Sequence, residues 1–192
     1  MSRFYSPEAI VLKGKRFVPL LSREEVERAV EEIASALERV FVNEEGSDPP
    51  LFVCVLKGGT LFFADLIRRL RFPVHLDFVR ASSYGEEMVS SGSLTFTAEP
   101  GTEIRGRNVI IVEDIIDTGR TATALRRYFH RKGAASVQVA ALLYKPEAGG
   151  EGEEPEYSGF RIPDRFVVGY GLDYGEEGRN LAGIYVHEDG HG

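Results

Sequence analysis

The chain has 192 residues, a length typical of one globular domain. Its net charge of −7 argues against a protein that coats nucleic acid, because such proteins are usually basic. A single cysteine, Cys54, excludes an intrachain disulfide and a zinc site built from cysteines. Apolar runs fall far below the roughly 20 residues of a membrane helix, and residues 1–7 lack the core of a signal peptide, so we expect a cytoplasmic protein.

Helices and short apolar strands alternate along the sequence. Ser22 to Glu25 form a capping-box pattern, and apolar residues recur at helical spacing from Val26 to Phe41. The pattern then predicts a strand over 51–56, a helix over 60–70, strands over 74–79 and 108–112, a helix over 121–131 and a strand over 136–143. This order favours an α/β fold with a mostly parallel sheet and helices on both faces.

The C-terminal part of the chain continues the same unit. Residues 147–159 are rich in Gly and Glu and are predicted to form a mobile loop. Strand-like runs at 166–168 and 183–186 still need partners. We therefore expect residues 1–192 to form a single domain.

The most informative segment follows the predicted strand over 108–112. This strand ends in two adjacent carboxylates, Glu113 and Asp114, and Asp117 follows within one turn. Residues 118–121 (Thr-Gly-Arg-Thr) then begin a helix. The first N–H groups of a helix can bind a phosphate, and a glycine at this position lets the phosphate come close to the backbone. Paired carboxylates can face sugar hydroxyls or a hard cation such as Mg²⁺. The residues themselves therefore predict a site for a sugar phosphate at the carboxyl end of a strand.

Residues 109–121 resemble the phosphoribosyl pyrophosphate signature of the type I phosphoribosyltransferases: an apolar strand, an acidic pair, two Ile and Asp-Thr-Gly-x-Thr. Residues 56–66, with Lys-Gly-Gly after a strand, resemble the pyrophosphate loop of the hypoxanthine-guanine phosphoribosyltransferases. Residues 77–85 resemble their flexible closing loop, and residues 162–174 resemble their purine-binding segment. These matches follow the family's order and cover roughly residues 51–186.

The resemblance implies a fold in which a mostly parallel sheet is flanked by helices and covered by a small hood made of the terminal segments. It places the core at about residues 51–145 and the purine-binding hood at about residues 160–186 plus the N-terminal segment. Family members are dimers or tetramers, so a homodimer or homotetramer is expected, with no nucleic acid or membrane as partner.

The implied activity is purine salvage. The 5-phosphoribosyl group of phosphoribosyl pyrophosphate, bound as its Mg²⁺ complex, would pass to N9 of hypoxanthine or guanine and give IMP or GMP plus pyrophosphate. Asp117 would be the catalytic residue and take the N7 proton of the base. The residues implied to bind phosphoribosyl pyrophosphate are Lys57, Gly58, Gly59, Glu113, Asp114, Asp117, Thr118, Gly119, Arg120, Thr121 and Arg179.

The resemblance also assigns the purine site, the metal and a lid. Lys145 would donate to the purine O6, Phe166 would stack on the base, and the Val167 backbone would pair with the purine edge. Asp173 would lie near the exocyclic group of guanine. The implied metal ligands are Glu113, Asp114 and Asp173, and the implied lid residues are Ser83 and Tyr84. The peptide bond before Lys57 is implied to be cis.

Two other functions are compatible with the same motifs. A xanthine-preferring transferase would share the phosphate sites and differ around Lys145 and residues 166–173. A purine-responsive regulator would keep the fold without turnover and usually add a nucleic-acid-binding segment. The acidic charge, and the presence of Lys57, Asp117 and Arg179, favour an enzyme.

Overall fold

The computed structural model describes residues 8–42, 48–82, 95–98, 100–148 and 154–188, which form two β-sheets and three helices. In chain order the elements are β1 (Ile10–Leu12), β2 (Lys15–Leu21), α1 (Arg23–Phe41), β3 (Leu51–Val55), α2 (Thr60–Ile67), β4 (His75–Ser82), β5 (Thr95–Ala98), β6 (Asn108–Ile116), α3 (Arg120–Arg131), β7 (Ser136–Tyr144), β8 (Tyr157–Arg161), β9 (Val167–Val168) and β10 (Ile184–His187). No helix in these ranges is both long and apolar enough to cross a lipid bilayer.

The larger sheet has the strand order β5-β4-β3-β6-β7-β8. Strands β4, β3, β6, β7 and β8 run parallel, and β5 joins the edge of β4 in the antiparallel direction. The central strand β3 is buried at every residue, as its unbroken apolar sequence requires in a sheet covered on both faces. The predicted α/β fold with a mostly parallel sheet is confirmed.

Alternate residues of the central strands point to opposite faces, and each face is covered by helices. Phe52 and Ile110 pack in one cluster with the apolar stripes of α1 and α2. Val53 and Ile111 pack in the other cluster with Leu125 and Phe129 of α3. The predicted capping box starts α1: Ser22 Oγ accepts from the Glu25 N–H at 3.2 Å, and the Ser22 N–H donates to Glu25 Oε2 at 2.7 Å.

Segments from both ends of the chain form the second sheet, which we call the hood. Its strand order is β1-β2-β10-β9, and every pair is antiparallel. Phe17 of β2 is fully buried there and contacts the rings of Phe166 and Tyr174, with centroids at 6.2 and 5.9 Å. The predicted hood of terminal segments is therefore present.

The prediction of a mobile loop over 147–159 was wrong for its last three residues. Tyr157–Arg161 is strand β8, which pairs parallel to β7 at the edge of the larger sheet. Glu156 anchors the start of this strand: its carboxylate accepts from both terminal nitrogens of Arg126, at 2.9 and 2.6 Å, and from the Val139 N–H at 2.7 Å. Tertiary contacts therefore override the weak strand propensity of the Gly- and Glu-rich sequence.

Replacing Arg126 with Met should destabilise the protein by about 2–4 kcal/mol, because Glu156 would keep its charge without its partner. The expected decrease in the free energy of unfolding is smaller than for a fully buried ion pair, because the Glu156 side chain is 36% exposed. Chemical denaturation at neutral pH measures it. Arg127→Met is the matched control, since Arg127 is exposed on the same helix and such changes usually stay within about 0.5 kcal/mol. Equal losses in the two variants would contradict the prediction.

The loss caused by Arg126→Met should also depend on pH. Burial acts to raise the pKa of Glu156, but hydrogen bonds from Arg126 and the Val139 N–H outweigh burial and lower it overall. A depressed folded-state pKa contributes stability above the ordinary glutamate value of 4.5, and that stability is lost as the pH falls through the folded-state pKa. The difference between parent and variant should therefore shrink in acid.

Candidate active site

The two carboxylates that the sequence singled out lie near the C-terminal end of strand β6. Glu113 and Asp114 lie within the strand, which runs on to Ile116 and so extends beyond the predicted end at residue 112. The Glu113 side chain is buried, and its Oε2 has no hydrogen-bond partner among the described residues. A buried acceptor without a partner is rare in proteins and marks a position where a ligand can supply the donor.

Burial controls the ionisation of this acidic pair. Burial, and then the neighbouring Asp114 charge, raise the pKa of Glu113 to about 8. Burial also raises the pKa of Asp114 to about 6, and the charge of Asp173 adds to this effect, while backbone hydrogen bonds and Arg179 oppose it. Two acids with raised pKa values at the end of one strand are typical of a functional site.

The loop after β3 lies directly against this pair. A β-carbon placed on Gly58 would overlap the Asp114 carboxylate, so glycine allows this close approach without moving the acid. The Leu56–Lys57 peptide bond is cis, as predicted. The Lys57 carbonyl accepts from Thr60 Oγ1 at 2.7 Å, which joins the loop to the first residue of α2. Lys57 thus sits beside the acidic end of β6.

The start of α3 has exposed polar groups and a glycine cap. Gly119 has a φ of +71°, a conformation that favours glycine, and it caps α3 without a side-chain hydrogen bond within the described residues. The first N–H groups of a helix then point outward with no partner in the helix. Thr118 and Thr121 are partly exposed and Arg120 is exposed around this turn. The arrangement suits a phosphate.

Lys145 follows β7 and lies next to Asp117. Its Nζ is 3.4 Å from Asp117 Oδ2 and 3.2 Å from Asp164 Oδ1, although Lys145 itself is only 7% exposed. The Lys145 N–H donates to the Ile116 carbonyl at 2.9 Å, which fixes the lysine beside the end of β6. The sequence analysis did not assign a role to Asp164.

The predicted purine-binding residues lie in and beside the hood. Phe166 is partly buried and contacts the Tyr174 ring with centroids 5.7 Å apart. Val167 pairs with Val186 across β9 and β10. Among the described strands β9 is the edge of the hood, so its outer backbone groups are open to pairing.

Arg179 and Asp173 form an ion pair, with Arg179 Nη2 2.7 Å from Asp173 Oδ1. Arg179 Nη1 also donates to the Gly171 carbonyl at 2.7 Å. Glu176, which the sequence analysis did not single out, contacts both Lys57 and Arg179. Lys57 and Arg179 are thus joined through one carboxylate.

The structure does not describe the predicted lid, and it shows no cluster of protein metal ligands among the residues that it describes. The predicted lid residues Ser83 and Tyr84 lie outside the described residues. Within the described ranges, no three His, Cys, Asp or Glu side chains cluster as a protein-built metal site would need.

The chain is similar to known phosphoribosyltransferases over most of its length. A family model described as "Phosphoribosyl transferase domain" matches residues 20–175. A hypoxanthine-guanine phosphoribosyltransferase of Aquifex aeolicus is 38% identical over 178 residues, which are 93% of this chain and 98% of the relative. The Bacillus subtilis enzyme of the same name is 40% identical over 167 residues, 87% of this chain and 91% of the relative.

Solved structures give the same result. A crystal structure of a hypoxanthine-guanine phosphoribosyltransferase from Bacillus anthracis aligns with a TM-score of 0.80 and 40% identity, over 88% of this chain and 96% of that one. The chain therefore belongs to the phosphoribosyltransferase family. Within that family it belongs with the hypoxanthine-guanine phosphoribosyltransferases.

Glu113→Gln should stabilise the protein, and more at pH 8 than at pH 5. Between the ordinary glutamate value of 4.5 and about 8, the folded state keeps a proton that the unfolded state has lost, so the stability of the parent falls as the pH rises. The variant has no such proton. Thermal denaturation measures the effect, because 1 kcal/mol shifts Tm by roughly 2–4 °C in a chain of this size.

Glu147→Gln is the control for this measurement, because Glu147 is exposed. Its stability should stay within about 0.5 kcal/mol of the parent. A stability gain of Glu113→Gln that is the same at pH 5 and pH 8 would show that the buried carboxyl does not titrate as stated.

Proposed function

We propose that this protein is a purine salvage enzyme that transfers the 5-phosphoribosyl group of phosphoribosyl pyrophosphate to hypoxanthine or guanine, giving IMP or GMP and pyrophosphate. The observation that carries the proposal is the contact between Gly58 and Asp114. It brings a lysine-bearing loop against a partly buried acidic pair, and the helix N-terminus at Gly119 follows a few residues later on the same chain segment. One activated pentose with a phosphate at one end and a diphosphate at the other matches these three parts.

The pentose and its 5′-phosphate are assigned to the end of β6 and the start of α3. Glu113 and Asp114 face the ribose hydroxyls, which can donate to the partnerless Glu113 Oε2. The N–H groups and hydroxyls of residues 118–121 hold the 5′-phosphate, with the Arg120 guanidinium beside them. The fixed amides need no rearrangement as charge changes during transfer.

The diphosphate is assigned to the loop after β3 and to Arg179. Lys57 and Arg179 stabilise the negative charge that grows on the pyrophosphate as its bond to the sugar breaks. Gly58 and Gly59 let the backbone approach the same oxygens. The Arg179–Asp173 ion pair supports this assignment because it holds the guanidinium on the side of the acidic pair.

The carboxylates present fit Mg²⁺. Magnesium takes oxygen ligands and is usually held by one or two carboxylates together with substrate phosphates and water. Glu113, Asp114 and Asp173 supply oxygen donors, and the charge of Asp173 acts on Asp114. Bound Mg²⁺ would neutralise negative charge on the diphosphate.

The purine is assigned to the space between Lys145 and the hood. Lys145 donates to O6, which selects 6-oxopurines over adenine, and Phe166 stacks on the base. Val167 offers backbone groups at the open edge of β9, and Asp173 lies near the exocyclic position. Asp117, whose side chain is half exposed beside Lys145, takes the N7 proton as the glycosidic bond forms.

Four further features are proposed from the sequence and its resemblance to the family. We propose that residues 1–192 form one domain with its core at about 51–145 and its hood at about 160–186 plus the N-terminal segment. Ser83 and Tyr84 are proposed to belong to a lid that excludes water during transfer. The protein is proposed to act in the cytoplasm as a homodimer or homotetramer.

Purified protein mixed with Mg²⁺, phosphoribosyl pyrophosphate and each of four bases in turn tests the function. Hypoxanthine and guanine should give nucleotide, and adenine should give far less because its 6-amino group cannot accept from Lys145. Excess chelator should abolish transfer. A preference for adenine would overturn the role of Lys145, a preference for xanthine would favour that alternative substrate, and no product with any base would overturn the proposal.

Asp117→Asn should lower kcat by about 10²–10⁴-fold, because an amide cannot take the purine proton. The KM for phosphoribosyl pyrophosphate should change far less. Asp164→Asn is the matched control: it removes a carboxylate at a similar distance from Lys145, 3.2 against 3.4 Å. Its kcat should fall much less. Steady-state kinetics of both variants decide, and equal effects on kcat would remove the role of Asp117 as the base.

A further inference from the structure

A single carboxylate engages both cations that are assigned to the diphosphate. Glu176 Oε2 lies 2.8 Å from Lys57 Nζ, and Glu176 Oε1 lies 3.4 Å from Arg179 Nη2. Each oxygen therefore faces one cation, much as two oxygens of a diphosphate would. The residues come from the loop after β3 and from the segment before β10, more than 100 positions apart in the sequence.

The backbone of residues 173–179 places Glu176 there. The Glu176 N–H donates to Asp173 Oδ2 at 2.7 Å, and Tyr174 and Glu177 exchange backbone hydrogen bonds at 2.9 and 3.3 Å across the turn. Glu176 has a φ of +73°, a left-handed conformation that non-glycine residues seldom adopt. Residues in such conformations persist where the surrounding structure holds them, and they cluster at ligand sites.

The charges in this cluster balance without any ligand. Lys57 and Arg179 carry two positive charges, and Asp173 and Glu176 carry two negative ones. Lys57 Nζ donates a hydrogen bond to the Glu176 carboxylate at 2.8 Å. A diphosphate that approaches Lys57 and Arg179 is therefore repelled by the Glu176 carboxylate, which already contacts both cations. The Lys57 and Glu176 side chains are 49% and 66% exposed, and exposed ion pairs are weak enough to exchange.

We propose that Glu176 is an internal competitor of pyrophosphate: its carboxylate holds Lys57 and Arg179 in the ligand-free protein, leaves when a diphosphate binds, and returns when pyrophosphate departs. This inference rests on the assignment of the diphosphate in the proposed function. It makes Glu176 a residue that weakens the binding of both phosphoribosyl pyrophosphate and pyrophosphate. No covalent bond is made or broken, since one anion replaces another beside the same two cations.

Isothermal titration of Mg²⁺–pyrophosphate into the full-length parent, Glu176→Gln and Glu177→Gln tests the proposal. Glu176→Gln should bind pyrophosphate about threefold to tenfold more tightly, as the loss of one competing exposed ion pair allows. The KM for phosphoribosyl pyrophosphate should fall by a similar factor. Glutamine has a similar shape and φ preference, so the change isolates the charge.

Glu177→Gln removes the same charge from the next residue, which is exposed and, among the described residues, makes no ion pair with either cation. Its affinity should stay close to that of the parent. A general effect of charge would improve both variants alike, and a structural role of Glu176 would weaken binding, so either result overturns the proposal. A parent that binds no pyrophosphate would overturn the proposed function as well, whereas a parent that binds it and an unchanged Glu176→Gln would overturn this inference alone.

Discussion

The close approach of the Gly58 backbone to the Asp114 carboxylate is the contact on which the site depends. It follows from the register of two neighbouring parallel strands. Cys54 of β3 lies opposite Val112 of β6, so the residues that follow both positions emerge at the same edge of the sheet. The backbone of one loop can then approach the acids of the next strand, provided that no side chain stands between them. A slip of one residue would exchange the faces of the sheet to which Glu113 and Asp114 point.

A second set of contacts joins the hood to this loop. Tyr170 Oη donates to Asp65 Oδ2 of α2 at 2.6 Å, and Tyr170 adopts a φ of +48°. Its neighbour Gly171 packs so closely on the Gly58 carbonyl that a β-carbon would overlap it. The carbonyl of Gly171 also accepts from Arg179. The loop that carries Lys57 is therefore held between the acids on one side and the Arg179 segment on the other.

The parts that the sequence predicted are those that depend on neighbouring residues. The apolar strand, acidic pair and glycine turn of residues 109–121 form one local unit, and the capping box at Ser22 is likewise local. The roles of Lys57, Lys145 and Arg179 were inferred from the resemblance to a known family, because no local pattern in the sequence distinguishes these residues from other charged ones. Their arrangement in space could not be derived from local patterns.

Two missed features depend on contacts between distant residues. Strand β8 forms because Arg126 and Val139 anchor Glu156, and no local pattern in a Gly- and Glu-rich segment signals those partners. Glu176 lies in a turn beside a second acidic residue, Glu177, and no sequence pattern distinguishes the two. Only the folded chain brings Glu176 to Lys57. The sequence supplied charged residues in this segment but not their pairing.

The electrostatic state of the ligand-free site favours one kind of ligand. One acid of β6 has an unpartnered oxygen: Glu113 Oε2 accepts no hydrogen bond in the described structure, and burial raises the pKa of both Glu113 and Asp114. The cations, in contrast, are already paired with Asp173 and Glu176. A simple anion would bind weakly here. It would have to displace the Asp173 and Glu176 carboxylates from the cations, and it would bring no donor to Glu113 Oε2. A ligand that brings hydroxyl donors or a cation to the acids, and a diphosphate to Lys57 and Arg179, satisfies both halves at once. The pairing of these charges thus discriminates against ligands that carry only one of these groups.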